Sequence, residues 1–152
     1  MPDCDMPESI LTSKTEAETA AVAKSLAQKS RPGDTILLSG PLGAGKTTFA
    51  RAFVRALTQN PTQEIPSPTF TLVQTYDTPA TQIWHFDLWR LTNHHALEEL
   101  AWDEAQSGIC LVEWPDRLGP LAPPHALRIT LTLQPQGRFI TISGPARWFH
   151  AS

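Results

Sequence analysis

A chain of 152 residues is one domain's worth of sequence, long enough for a single core to bury roughly two-thirds of the surface its unfolded form exposes. Hydrophobic residues at 41% and charged residues at 18%, with Gly 8 and Pro 14, exclude disordered, fibrous and low-complexity classes. Lys+Arg 12 against Asp+Glu 15 gives a net charge of −3, and no block of like charges supplies the basic patch of a protein that grips nucleic acid by itself.

The opening MPDCDMPES is acidic and has neither a basic n-region nor an apolar h-region, so it is not a secretory signal. Residues 1–8 read as a flexible start to a single domain spanning 1–152. Ser9-Ile10-Leu11-Thr12 suits a short strand, and Ser13-Lys14-Thr15-Glu16 has capping-box spacing, with Ser13 as cap and Glu16 reaching back. Ala20, Ala23, Leu26 and Ala27 then recur at helical spacing until Arg31-Pro32-Gly33-Asp34 stops the helix. Thr35 to Ser39 is a short apolar run, fit for a strand buried on both faces. After a Gly-rich loop, Phe49, Phe53, Val54 and Leu57 mark one face of a helix from Lys46 to about Thr58.

Thr69–Tyr76 and Gln82–Asp87 read as strands of an antiparallel hairpin turning at Asp77-Thr78-Pro79-Ala80. His95 to Ala105 reads as a helix and Ile109 to Glu113 as another buried strand. Leu127, Ile129, Leu131 and Leu133 alternate with polar residues, and Phe139–Ile142 returns after Gln134-Pro135-Gln136-Gly137. The fold class is α/β: one P-loop NTPase-like domain, its mixed, mostly parallel sheet flanked by helices and closed by an antiparallel C-terminal hairpin. Cys110 lies in an apolar run far from Cys4, which fits a buried free thiol in a reducing compartment. No apolar stretch approaches the roughly 18 residues of a membrane span, so the expected location is the cytoplasm, with no membrane contact.

Gly40-Pro41-Leu42-Gly43-Ala44-Gly45-Lys46-Thr47 satisfies G-x-x-x-x-G-K-[ST] at every fixed position. The glycines let successive N–H groups converge on phosphate oxygens, and the helix that follows turns its N-terminal dipole to the same anion. Lys46 supplies a point charge to the β/γ-phosphates, and the Thr47 hydroxyl ligates Mg²⁺. A chance match in a chain of this size has a probability of about 1% or lower, and the strand before the loop and helix after it lower that further.

Such a site needs a carboxylate at the end of a neighbouring buried strand. Glu113 ends the stronger apolar run and Asp87 ends the other. Glu113 is therefore assigned to the metal with Thr47, and Asp87 is placed near the γ-phosphate, where it polarises the attacking water. Either acid would alternatively cap a helix or pair with Arg90 or Arg117. No [NT]-K-x-D element for reading guanine is present, which favours ATP. The histidines lack zinc-ligand spacing, and His94-His95 belong to a solvated helix start. The tryptophans read as core or interface anchors, Trp114 being the exception because it follows Glu113 directly. Arg51 and Arg55 read as solvated or paired.

Beyond the P-loop, Ser67-Pro68-Thr69-Phe70-Thr71-Leu72-Val73, His85-Phe86-Asp87-Leu88-Trp89-Arg90 and Leu111-Val112-Glu113-Trp114 follow in order. Together these four segments resemble the bacterial TsaE family, the small ATPases of tRNA N6-threonylcarbamoyladenosine synthesis, from about Ser13 to Ser143. The resemblance implies weak intrinsic ATPase activity with ATP and Mg²⁺, and work with TsaD and TsaB, which modify adenosine 37 of tRNAs reading codons that begin with A. The chain would act on the TsaB–TsaD pair and meet tRNA only indirectly. Carried over, Lys46 and Thr47 serve phosphate and metal, Gly43, Ala44, Gly45 and Thr48 line the phosphate pocket, and Glu113 is the Mg²⁺ partner. Asp87 is the functional acid and Trp114 the active-site tryptophan. Thr69 belongs to a switch-like loop over the γ-phosphate, and Thr15 and Glu16 lie near adenine and ribose. Pro41 stands where the family usually has an acid and Trp89 where Tyr is usual, neither at a phosphate-binding position.

Two other readings compete. A small-molecule kinase on the same P-loop needs an acceptor pocket and an Arg-bearing lid, and no lid insertion is evident. A nucleotide-dependent binding module needs no hydrolysis.

Overall fold

Short apolar runs become the centre of the sheet because both of their faces can be covered. In the computed structural model, which describes residues 7–41, 43–68 and 70–149, β2 (Thr35–Ser39) and β5 (Ile109–Glu113) are buried almost throughout. They pair in parallel with each other, β2 pairs in parallel with β6 (Leu127–Gln134), and β5 with β4 (Gln82–Asp87). Antiparallel pairing closes both flanks. β3 (Val73–Asp77) lies on β4, while β7 (Gly137–Ser143) lies on β6 and β1 (Glu8–Ser13) on β7. The seven-stranded order is β1-β7-β6-β2-β5-β4-β3. Five of those strands, β1, β2, β4, β5 and β6, point the same way.

Strand alternation divides the core. Ile36, Leu38, Ile83, Ile109 and Leu111 face α1 (Glu16–Lys29) and α2 (Lys46–Thr58), meeting Ala23, Leu26, Phe49 and Phe53. Leu37, Phe86, Cys110 and Val112 face the opposite layer, which supplies Leu97, Trp102 and Leu118. That layer is built from 3₁₀ turns at His94–Leu100 and Pro115–Leu121 and the short α3 (Trp102–Ala105). The α/β expectation is met, the hairpin of β6 and β7 included.

The details differ in five places. Thr15, not Ser13, caps α1, its hydroxyl accepting from Glu18 N at 3.1 Å, while the Lys14 N–H donates to Glu18 Oε1 at 3.0 Å. The reaching acid is therefore Glu18 rather than Glu16. Ser13 is the last residue of β1, and its buried hydroxyl bonds Thr19 Oγ1 at 2.7 Å. The expected 95–105 helix breaks at Ala101, which has φ 59. A continuous helix would carry Leu97 and Trp102 away from the sheet, whereas two short pieces bury both. The strand expected from Thr69 begins only at Val73, after Leu72 at φ 69. Leu133, in phase with Leu131, is half-exposed. The start expected to be flexible over residues 1–8 overlaps β1 at Glu8, and residues 1–6, with Cys4, lie outside the described residues. Among the described residues no helix is long and apolar enough to cross a membrane.

Candidate active site

Parallel pairing brings the functional positions to one end of the sheet. β2 runs into the P-loop, which delivers Lys46 at the first turn of α2. The ends of the two next strands lie beside it, with Asp87 of β4 and Glu113 of β5 as register partners. Both share parity with Ile83 and Leu111 and so face the P-loop side of the sheet. The result is a cleft of about 400 Å³ lined by Glu16, Gly43, Gly45, Lys46, Thr47, Thr48, Ser67, Asp87, Trp89, Glu113, Trp114 and Arg138.

Gly43 and Gly45 have φ of 82 and 104, a region L side chains rarely adopt. At Gly45 space is also short, since a Cβ there would stand 2.5 Å from Nη1 of Arg138. The loop backbone can approach an anion closely only because that atom is missing.

Lys46 is 6% exposed, Asp87 5% and Glu113 7%. The Lys46 ammonium lies 3.8 Å above the Trp114 ring, yet its buried Nζ has no hydrogen-bond partner among the described residues. Burial lowers its pKa from the ordinary lysine value, and Glu113, Asp87 and Asp116 oppose that only in part. A desolvated cation without an acceptor, beside a glycine cradle, is the arrangement a phosphate completes.

The acids are held differently. Glu113 Oε2 meets His85 Nε2 at 2.7 Å in a buried contact, which uses one of its two oxygens. Asp87 Oδ1 accepts from the Trp89 N–H at 3.0 Å, and the Leu88 N–H donates to the Glu113 carbonyl at 3.1 Å. The arginines weighed as partners for these acids lie against aromatic rings. Arg90 lies over the exposed Phe70 ring and Arg117 over Trp89. Trp114 takes φ 57 and opens the Pro115–Leu121 turns, a backbone strain of about 1–3 kcal/mol of the kind found at functional sites. Its ring meets Trp89 with centroids 4.4 Å apart.

Most of the residues expected at the site are thus together. Ala44 is not among them, because it is fully buried and its N–H donates to the Pro41 carbonyl at 3.2 Å. Thr15 caps α1 and does not line the cleft, whereas Glu16 does. Thr69 and Leu42 lie outside the described residues. Arg51 and Arg55 hold the 63–65 loop, their Nε atoms donating to the Ile65 and Gln63 carbonyls at 3.2 and 2.9 Å. The His94 and His95 rings meet at a tilt, centroids 4.3 Å apart, at the start of their turn, and no group of three or more His, Cys, Asp or Glu placed for a metal occurs among the described residues. A larger groove of about 800 Å³ runs between α1 and α2 and shares Glu16 and Thr48 with the cleft.

His85 and Arg138 were missed from sequence, and Trp89, read as a core or interface anchor, lines the cleft. Parity was the available signal, since His85 lies in phase with Ile83 and Asp87, and Arg138 with the core residues Ile140 and Ile142.

Comparison with known proteins agrees with this geometry. The profile of threonylcarbamoyl adenosine biosynthesis protein TsaE matches residues 13–140. The tRNA threonylcarbamoyladenosine biosynthesis protein TsaE of Rickettsia felis is 41% identical over 123 residues, covering 80% of this chain and 71% of the relative. The Bacillus subtilis protein of the same name is 38% identical over 116 residues, covering 75% and 71%. The crystal structure of Bacillus subtilis YdiB superposes with a TM-score of 0.74 at 30% identity, covering 91% of this chain and 86% of that one. The glycine cradle, the two strand-end acids and the tryptophan that follows one of them all fall within the matched segment, and the chain belongs to the TsaE family of tRNA threonylcarbamoyladenosine biosynthesis proteins.

Proposed function

We propose that the chain is an Mg²⁺-dependent, weakly hydrolysing ATPase that serves tRNA threonylcarbamoyladenosine formation as an accessory to TsaB and TsaD. The observation that carries the reading is the buried Lys46 ammonium, without a hydrogen-bond partner among the described residues, between a glycine cradle and two strand-end carboxylates. A triphosphate is the ligand that satisfies all of these groups together.

In this reading the N–H groups at Gly43, Gly45 and Thr47 cradle the phosphates, and Lys46 reaches the β- and γ-phosphates. The Thr47 hydroxyl and Glu113 would hold the metal, with phosphate oxygens completing its shell. Bound Mg²⁺ supplies neutralisation of the charge that gathers on the phosphate oxygens. The Glu113 carboxylate is kept in one orientation by His85. Asp87 accepts a hydrogen bond from a water molecule and turns the water's lone pair toward the γ-phosphorus. The water oxygen bonds to phosphorus as the bond to the β–γ bridging oxygen breaks. The electron pair leaves on ADP, and both protons of the water end on the inorganic phosphate, released as H₂PO₄⁻. Trp114, lying under the Lys46 ammonium, fixes that cation and shields it from bulk water.

ATP turnover by the purified protein, alone and with TsaB–TsaD, tests the proposal with Lys46→Ala as control. The expected result is slow hydrolysis that rises with the partners and is lost in Lys46→Ala. Turnover indifferent to TsaB–TsaD but raised by a small-molecule acceptor would replace this reading with a kinase. Unchanged turnover in Lys46→Ala would remove the P-loop from it.

A further inference from the structure

The groove of about 800 Å³ between α1 and α2 shares only Glu16 and Thr48 with the cleft. From Thr48 it follows α2 down to Gln59, about 16 Å of helix. Its walls carry alanines from both helices, among them Ala17, Ala21, Ala52 and Ala56. Ala17 and Ala21 are exposed, at positions where a solvated helix face ordinarily carries long polar side chains. Below the shared end, Lys24 on one bank faces Arg51 and Arg55 on the other. Among the described residues no carboxylate lies within ion-pair distance of these three cations. Arg51 and Arg55 stand one turn apart on α2, a spacing at which like charges repel. Each is pinned through Nε to a carbonyl of the 63–65 loop, which orients the guanidinium without using its terminal nitrogens. On a chain with a net charge of −3, the fold has gathered cations here and left them unbalanced.

We infer that this groove docks an acidic amphipathic helix of a partner protein. Spacing favours a helix as the occupant. Carboxylates at i and i+4 of a helix laid along α2 recur at the same one-turn interval as Arg51 and Arg55. Lys24, on the opposite bank, takes a third acid, and the apolar stripe of the same helix covers the alanines. The charges then provide orientation and register, and the burial of methyl groups provides the rest of the affinity. Nucleic acid fits less well. Among the described residues the groove has no aromatic ring on which a base would stack, and methyl groups lie between its cations. Position separates the docking segment from the nucleotide. A base joined to phosphates in the cleft enters at the Glu16–Thr48 end, whereas Arg51 and Arg55 lie one and two turns further down α2. The inference therefore goes beyond the proposed activity and does not depend on it.

The probe is a fluorescently labelled, helix-favouring peptide of about 14 residues, with glutamates at i and i+4 beside a leucine stripe. Its anisotropy is titrated with the full chain, with and without Mg-ADP, and a peptide carrying lysines in place of the glutamates is the control. The expected result is saturable binding of the acidic peptide alone, weakened by salt and unchanged by Mg-ADP. Lys24→Glu and Arg51→Glu each turn an attraction into a repulsion and should weaken binding about threefold to thirtyfold. Ala21→Trp fills the groove and should abolish binding. Lys24 and Ala21 are both exposed, so neither replacement disturbs the core. The double variant Lys24→Glu, Arg51→Glu should bind the lysine peptide instead, a reversal that a merely structural effect does not produce. Failure of the acidic peptide to saturate overturns the inference, as does binding indifferent to Lys24→Glu and Ala21→Trp. Binding of a labelled oligouridylate in place of the peptide, lost in Lys24→Glu, would give the groove to RNA. A dimer in sedimentation that Ala21→Trp dissolves would give it to a second copy of the chain, and displacement of the peptide by Mg-ADP would give it to the nucleotide. Each of these three also overturns the inference. Failure of the wild-type chain to bind ADP would overturn the nucleotide reading alone, because the titration without ADP still decides the groove.

Discussion

Replacing Lys46 with Met should make the ligand-free protein more stable while abolishing its response to ATP. Lys46 lies 6% exposed with its Nζ lacking an acceptor among the described residues. An unsatisfied buried polar group costs about 1–3 kcal/mol, and the contact with the Trp114 ring at 3.8 Å returns about 0.5–2 kcal/mol. Attraction from Glu113, Asp87 and Asp116 favours the charge, but burial outweighs them and the pKa is lowered. The net balance therefore favours removing the charge, by about 1 kcal/mol on these ranges. Methionine keeps the stem's length and offers sulfur to the indole. For a chain of this size that margin is about 2–4 °C in the melting temperature. Ligand works the other way, since ATP at about a hundred times its dissociation constant adds about 2.7 kcal/mol to the wild type, on the order of 5–10 °C by the same scaling. Thermal melts with and without Mg-ATP should therefore cross, the variant melting higher without nucleotide and the wild type higher with it. A ligand-free variant less stable than wild type would refute the claim that desolvation dominates at Lys46. Equal stabilisation of both proteins by ATP would refute the phosphate contact.

Two further outcomes follow from side chains on opposite faces of the sheet. Asp87→Asn keeps an oxygen to accept from the Trp89 N–H but removes the carboxylate that orients water. Turnover with TsaB–TsaD should fall about 10²–10⁴-fold while ADP affinity stays unchanged, as single-turnover kinetics and nucleotide titration would show. Cys110 is fully buried, donates to the Ala105 carbonyl at 3.1 Å, and has its thiol pushed up to about 12 by burial. In a Cys4→Ser background it should resist a thiol-reactive chromophore until the protein unfolds. Because the folded thiol holds its proton longer than the unfolded one, its contribution to stability should be complete below pH 9.0 and be lost as pH rises toward about 12.

The legible parts of this fold are those where a local signal and the tertiary demand coincide. Thr35–Ser39, Lys46–Thr58, Gln82–Asp87 and Ile109–Glu113 could be bounded from sequence because each is an apolar run or a helical stripe closed by a polar residue. The P-loop was legible for a different reason. Its glycines are fixed by backbone geometry, and its lysine and threonine by a ligand's shape, so the spacing carries the chemistry with it. Glu113 and Asp87 were then recoverable as the carboxylates that close buried strands, and the register that pairs them confirms their common end of the sheet.

What escaped was set by contacts distant in the chain. Propensity over 95–105 favours one helix, but Leu97 and Trp102 are both required against Phe86 and its neighbours, and only the break at Ala101 satisfies both. Ala44 has the right place in the motif, yet its N–H is taken by the loop's own turn. His85 and Arg138 were passed over because each lies in a strand whose neighbours read as core. Their common signature is a polar residue at a core-facing parity near a strand end that borders the glycine loop. At such a position burial demands a partner. His85 finds one at Nε2 in Glu113, 28 residues further on, whereas its Nδ1, Nε of Arg138 and Nζ of Lys46 find none among the described residues. A buried histidine held through one ring nitrogen to a carboxylate of the same chain orients that neighbour. A buried cation that does not complete one marks where an anion from outside the chain belongs.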